Sequence, residues 1–323
     1  MTSDAGITAQ GRAAMTRGST IRTTAAAVDP MHAPRRRLFL WFVLPALLLY
    51  VVFFILPTIA TIWISFHKWP GAGPMEYVGL RNYEILYYDP VFINSFINTL
   101  KIIFIVGGAT FLISFALTMA LREMAGRKVV RSVIFFPNIL SAVVISILWG
   151  FLFQANGLVN SMLAGIGITS PPAWLNESNL FNVIMIGLVW VSTGFYTTIL
   201  MAGIDRIPAD LYEEAELAGA NPLQRFWYVT LPLMWEIVAM AAVLWTISSI
   251  KIFEFIYAFA GGAGYLPSTK VWNTALYSYA EAFASPGTPR YGPAAASAFV
   301  MLVLVAVLVW LIRRATRREA LQF

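Results

Sequence analysis

The side chains that make and break covalent bonds are almost missing from this sequence. It has no cysteine, which excludes thiol nucleophiles, disulfides and thiolate metal sites. Its two histidines, His32 and His67, lie too far apart in sequence to suggest a metal centre. No Gly-x-x-x-x-Gly-Lys-Ser/Thr loop occurs, so no segment is built to cradle nucleotide phosphates. What stands out instead is a set of polar and aromatic residues inside apolar runs: Asn138 and Ser141; Trp190, Ser192 and Tyr196; Ser248 and Ser249; and the charged pair Lys251 and Glu254. Amides, hydroxyls and ring faces can hold a hydroxyl-rich solute and release it unchanged. Small polar residues also serve close helix packing in membranes, and both readings stand for each of them.

The elements that position these residues follow from composition. Of 323 residues, 59% are hydrophobic and 12% charged, with mean hydropathy +0.72. Soluble domains carry roughly 25% charged residues, twice this supply, so the solvent that fits is a bilayer. Uncharged or nearly uncharged runs at about 38–66, 98–121, 132–154, 179–203, 234–258 and 293–312 each reach the ~20 residues that span the hydrocarbon core. The expected fold is therefore all-α and integral to the membrane, with about six transmembrane helices. The first run is too long for a signal-peptide core and lacks a clear cleavage site, so it reads as a retained span. Pro45, Pro57 and Pro137 fall within or near the start of spans, where neighbouring helices satisfy the freed backbone groups.

Charge sets the orientation. Sixteen Lys and Arg fall within residues 12–37, 122–131, 206–225 and 313–318, against four on the other side, Lys68, Arg81, Lys270 and Arg290. The richer side is read as cytoplasmic, which places both termini there. Residues 1–34, rich in Thr, Ala and Ser, read as a disordered cytoplasmic tail, 35–318 as the membrane domain, and 319–323 as a second tail. The segments 67–97, 155–178 and 259–292 are then external. They carry turn sequences such as Trp69-Pro70-Gly71, Pro171-Pro172 and Gly261 to Gly264, and Tyr87, Tyr88, Trp174 and Tyr277 suit an interfacial aromatic belt. The net charge of +6 thus reports topology and not nucleic-acid binding.

One polar stretch interrupts the pattern, in the cytoplasmic loop 204–233. Pro208 suits a first helical turn, with Asp210, Glu213 and Glu214 near the positive end of the helix dipole. Gly219 suits the left-handed residue that ends a helix, and Asn221-Pro222 reads as the cap and first residue of a second helix. Leu231-Pro232 closes the pair before the fifth span. The loop is either an ordered connector or a docking element for a cytoplasmic partner.

Glu213-Glu214-Ala215, then Gly219-Ala220, then Val229-Thr230-Leu231-Pro232 resembles the coupling motif of ABC importer permeases. In that family the pattern is Glu-Ala-Ala, three residues, Gly, nine residues, Ile, one residue, Leu-Pro. The spacing agrees throughout, with Glu214 and Val229 departing from the common residues. Val78 to Tyr83, Phe96 to Leu100, Trp190 with Gly194 before Ala202-Gly203, Phe253-Glu254, and Tyr291 to Ala296 also resemble the carbohydrate and glycerol-phosphate, maltose-permease-like branch. The resemblance covers about residues 38–318.

It implies a coupling helix between the fourth and fifth spans, two cytoplasmic ATPase subunits that carry the ATP and magnesium, a second homologous permease and an external solute-binding protein. It also implies a location in the cytoplasmic membrane of a prokaryote, with no cofactor or catalysis in this chain. Asn138, Ser192, Ser248 and Ser249 fall where it places cavity-lining residues. Only Lys101 and Lys251 are basic within spans, which favours a neutral mono- or oligosaccharide over a phosphorylated polyol. Lys251 and Glu254, three apart, would share a helix face as an internal ion pair or as a substrate or gate contact. A membrane-embedded hydrolase or lipid transferase needs a nucleophile–base or metal constellation, and no span holds a His, a Cys or paired carboxylates. An ion-driven secondary transporter would usually show internal repeats and midplane carboxylates.

Overall fold

A computed structural model describes residues 32–122, 124–168, 170–261, 265–284 and 287–316, with side chains from residue 41 onward. Most of the expected 1–34 tail, the 319–323 tail, and Gly262 and Gly264 lie outside the described residues. The chain divides into two compact units, residues 1–56 and 57–323.

The helical start of α1 (Trp41–Ile64) reaches back to His32, inside the expected tail. Every side chain from 41 to 60 is exposed. With no polar face to solvate, such a helix is stable only in lipid or against another apolar surface.

The second unit contains α2 (Arg81–Tyr88), α3 (Pro90–Arg122), α4 (Arg127–Phe135), α5 (Ala142–Leu152), α6 (Leu158–Gly165) and α7 (Leu180–Ile204). It continues with α8 (Ala209–Leu217), α9 (Pro222–Leu233), α10 (Trp235–Ile250), α11 (Glu254–Ile256), α12 (Thr274–Tyr279) and α13 (Tyr291–Thr316). The strand pairing among the described residues is one short antiparallel rung pair, β1 (His67–Lys68) with β2 (Glu76–Tyr77).

Four helices are long and apolar enough to cross a bilayer: α1, α3, α7 and α13. Two bent pairs raise the number to six when each counts as one span: α4 and the turn to Ile139 with α5, bent by 99°, and α9 with α10, bent by 76°. The continuous span expected at 132–154 is therefore broken; the 76° bend falls at Met234, the start of the span expected at 234–258, and a separate break interrupts that span. In the first, Pro137 sits in a tight turn over Phe136–Ile139, and Ser141 restarts the helix by accepting the Val144 N–H at 3.3 Å. In the second, the helix ends at Ile250 and resumes at Glu254, and the freed Ile252 carbonyl accepts from Asn273 Nδ2. A break at membrane depth survives when its backbone groups are met in this way.

The α3–α7 pair is the spine of the unit. Thr110, Ser114 and Thr118 recur every four residues on α3 and are fully buried, with Ser114 Oγ donating to the Thr193 carbonyl at 3.2 Å. Gly194 brings α7 against the α4 backbone; a Cβ there would collide with the Ile134 carbonyl. Small residues of this kind let membrane helices approach at backbone distance.

At the far end from the 204–233 loop, the 265–284 segment is clamped onto α3. Asn98 Nδ2 donates to the carbonyls of Lys270 and Trp272 at 2.8 and 2.9 Å, and Thr99 bonds Thr274 Oγ1 at 2.9 Å. Tyr277, expected in an interfacial belt, is fully buried here and donates to Asp89 Oδ2 at 2.7 Å. Tyr87 and Tyr88 remain exposed.

Candidate functional site

The polar loop folds from its own residues. Helix α8 starts at Ala209, so Pro208 is the residue before it and not within the first turn; Asp210 alone of the acids lies in that turn. Glu213 and Glu214 follow in mid-helix, both exposed. The helix ends in a Schellman turn: the Ala220 N–H donates to the Ala215 carbonyl and the Gly219 N–H to the Glu216 carbonyl, each at 2.9 Å. Gly219 takes φ +79°, the left-handed conformation its residue type favours. Asn221 and Gln224 then form a reciprocal capping box, at 2.8 and 2.9 Å.

Two contacts missed in the sequence close the hairpin. The Tyr212 hydroxyl meets Thr230 Oγ1 at 2.9 Å in a buried position, and the Arg122 guanidinium lies over the Tyr212 ring at 3.1 Å from its centroid. Tyr212 is the one aromatic in an acidic helix, the only signal the sequence offered. At the rim, Arg225 pairs with Glu216 at 3.1 Å and Arg127 with Asp205 at 3.2 Å. Leu231 and Pro232 end the second arm, half-buried. The result is a capped polar hairpin with exposed acidic side chains.

Both helix breaks deliver residues to one cleft of about 490 Å³. Asn138 reaches it from the first break, and Lys251, Phe253 and Glu254 from the second. Ser192 and Tyr196 of α7 and Ser248 and Ser249 of α10 complete the polar set, with Trp245 beside them. Seven of the nine residues singled out in the sequence therefore share one wall. Ser141 is committed to capping α5, and Trp190 stacks on Trp149 at 5.3 Å and faces a different, apolar groove.

The seven differ in what they offer. Asn138 Nδ2 donates to the Val191 carbonyl at 2.8 Å, so its amide nitrogen is committed to holding α7. Ser249 is fully buried and donates to the Thr246 carbonyl at 3.1 Å, so its hydroxyl is occupied by packing. Ser248 is exposed and lies beside the Tyr196 hydroxyl. Lys251 and Glu254 do not share a helix, because the chain unwinds between them, and no ion pair within 4.0 Å joins them. Lys251 is instead the C-cap residue of α10, its backbone N–H turned back to the Ser248 and Ser249 carbonyls.

At the far end, Lys270 Nζ meets Glu177 Oε2 at 2.6 Å; that bond, with Ser268, holds the Glu177 carboxyl below its ordinary range. Burial pushes the Tyr277 phenol up. It also pushes up the Glu281 carboxyl, against the opposing pull of Arg290 at 3.1 Å and with a further push from Asp89.

Long apolar helices, broken spans around a polar cleft and a capped polar hairpin define a multi-span membrane protein. Comparison with known proteins fixes the family. Residues 111–320 match the family described as the binding-protein-dependent transport system inner membrane component, and the chain belongs to it. It is a permease of the ABC transporter class, a multi-pass protein of the inner membrane. It is similar to the trehalose/maltose transport system permease protein MalF of Thermococcus litoralis, 34% identical over 224 residues, covering 68% of this chain and 76% of that one. The lactose transport system permease protein LacF of Rhizobium radiobacter is 31% identical over 277 residues, covering 84% and 91%. A chain from the crystal structure of a bacterial ABC transporter involved in import of the acidic polysaccharide alginate shares the fold, with TM-score 0.75 and 23% identity over 90% of this chain and 98% of that one.

Proposed function

We propose that this chain is the permease subunit through which an ATP-driven importer moves a neutral mono- or oligosaccharide into the cell. The observation that carries the reading is the convergence of two helix breaks on one cleft lined by amide, hydroxyl and aromatic groups. A sugar needs both kinds of contact: hydrogen bonds to replace those it made to water, and ring faces against its C–H surfaces. A phosphorylated polyol would ask for a cationic lining, and the cleft holds one cation, Lys251, beside one anion, Glu254. The maltose and lactose permeases among the relatives point the same way.

In this reading the 204–233 hairpin lies in the cytoplasm and docks into a cleft of an ATPase subunit through Glu213, Glu214, Ala215, Gly219 and Ala220, with Leu231-Pro232 joining it to the membrane. Two such ATPases, a second homologous permease and an external binding protein complete the importer, and hydrolysis belongs to the ATPases. The test is reconstitution. Vesicles containing the permease pair and ATPases, supplied with the binding protein, accumulate a labelled sugar with ATP, and this chain alone hydrolyses none. Since no native cysteine exists, a single cysteine at 217 reports the side: labelling by an impermeant reagent only after cells are opened agrees with the topology, and labelling in intact cells overturns it.

A further inference from the structure

Five aromatic rings form an unbroken chain that starts in the cleft. Phe253, on the cleft wall, stands 4.9 Å from Tyr279, which stands 5.5 Å from Phe283. Phe283 is 5.8 Å from Tyr291, and Tyr291 is 5.2 Å from Trp69. The inner end belongs to the break in the fifth span. The outer end belongs to the two segments read as external, 67–97 and 259–292.

Ordinary core packing does not account for this chain. A core residue is enclosed by its neighbours, yet the middle ring here, Phe283, is 66% exposed. The hydroxyls of Tyr279 and Tyr291, and of Tyr257 packed against Tyr279 at 5.8 Å, are not buried and have no hydrogen-bond partner among the described residues. The chain therefore offers one exposed apolar ring, Phe283, between the half-buried rings of Tyr279 and Tyr291, with phenol groups at intervals on the scale of one pyranose unit. A sugar's C–H faces carry partial positive charge and meet the negative face of an aromatic ring, while its hydroxyls can bond the phenols.

We propose that Tyr279, Phe283, Tyr291 and Trp69 are an entry track along which a carbohydrate passes from the outer mouth to the cleft. The assignment rests on the carbohydrate reading and adds a binding path outside the cleft. Successive weak contacts keep the sugar moving without trapping it, because release from one ring is offset by stacking on the next. A longer oligosaccharide engages several rings at once, so its passage depends on the track more than that of a single ring.

The test uses the complete importer in vesicles with its binding protein. Labelled glucose, maltose, lactose and raffinose are offered, and each sugar the wild type accumulates is followed as sugar imported per ATP hydrolysed. Phe283→Leu keeps apolar bulk at an exposed site but removes the ring face. It is expected to lower import per ATP about 3- to 10-fold, more for the longest sugar carried, while Phe283→Trp restores it. Tyr279→Leu and Tyr279→Phe repeat the comparison one ring further in. Wild-type import by Phe283→Leu and Tyr279→Leu overturns the track and leaves the carbohydrate reading standing. A loss that aromatic replacement does not restore also overturns the track, since it marks a packing role. Accumulation of none of the four sugars by the wild type overturns the carbohydrate reading and the track with it.

Discussion

Gly219 offers a clean separation of backbone conformation from packing in the polar hairpin. Its φ is +79°, and a Cβ built there meets no atom within 4 Å. A substitution at this site therefore creates no clash, and its cost is the left-handed backbone alone. For an L residue that cost is about 1–2 kcal/mol, lower for Asn and higher for a β-branched side chain. A change of that size shifts the balance between the ordered turn and its alternatives by about 5- to 30-fold. The two carbonyls freed if the turn opens belong to half-buried Ala215 and exposed Glu216, neither of them in the core, so little burial penalty is added. The helical bundle does not rest on the turn. Gly219→Asn, Gly219→Ala and Gly219→Val should therefore lose ATPase capture, and with it ATP-driven uptake, in that order. Membrane insertion and the thermal midpoint of the purified permease should stay at wild-type values. Co-purification of the ATPase subunit, uptake and detergent melting read the three quantities separately. Wild-type uptake in an assembled Gly219→Val complex would refute the reasoning, as would an Asn variant as impaired as Val.

Three further outcomes follow from the geometry. Lys251 and Glu254 are not joined by an ion pair, so the double alanine variant should transport no better than the worse single variant; recovery of uptake in the double variant would show that the two charges compensate each other after all. Ser249→Ala should destabilise the permease by about 0.5–1.5 kcal/mol without altering substrate preference, while Ser192→Ala should alter preference at unchanged stability, so the same pair of assays with the results exchanged would reverse the two roles. Glu281, its carboxyl raised mainly by burial, binds more protons folded than unfolded, so its contribution is fully present below the ordinary value of 4.5 and is lost as pH rises through the raised value. Melting followed against pH should show that loss and Glu281→Gln should abolish it; an equal slope in both proteins would show that Glu281 is not its source.

The features legible in the sequence are those set by neighbours a few residues away. Apolar runs of spanning length mark the membrane helices, because a chain with so few charges has no other way to shield its backbone and side chains. The hairpin was equally legible: the Schellman turn at Gly219 and the capping box at Asn221 are each closed by groups no more than five residues apart. The breaks were not. An apolar stretch such as 132–154 or 234–258 reads the same whether it crosses as one helix or bends, since helix propensity differs little along it. The bend is decided by groups distant in sequence: Asn138 meets the Val191 carbonyl 53 residues on, and Asn273 meets the Ile252 carbonyl across 21. Those breaks separate Lys251 from Glu254 and turn both toward the cleft, which a spacing of three could only present as a shared helix face. Tyr277 likewise leaves the surface because Asp89, 188 residues away, receives its hydroxyl. Local chemistry thus determined which segments are helical and where the polar hairpin turns. Only the tertiary structure decided which polar groups are spent on holding helices together and which remain free to meet a solute, because a buried donor goes to whichever acceptor the packing brings within reach.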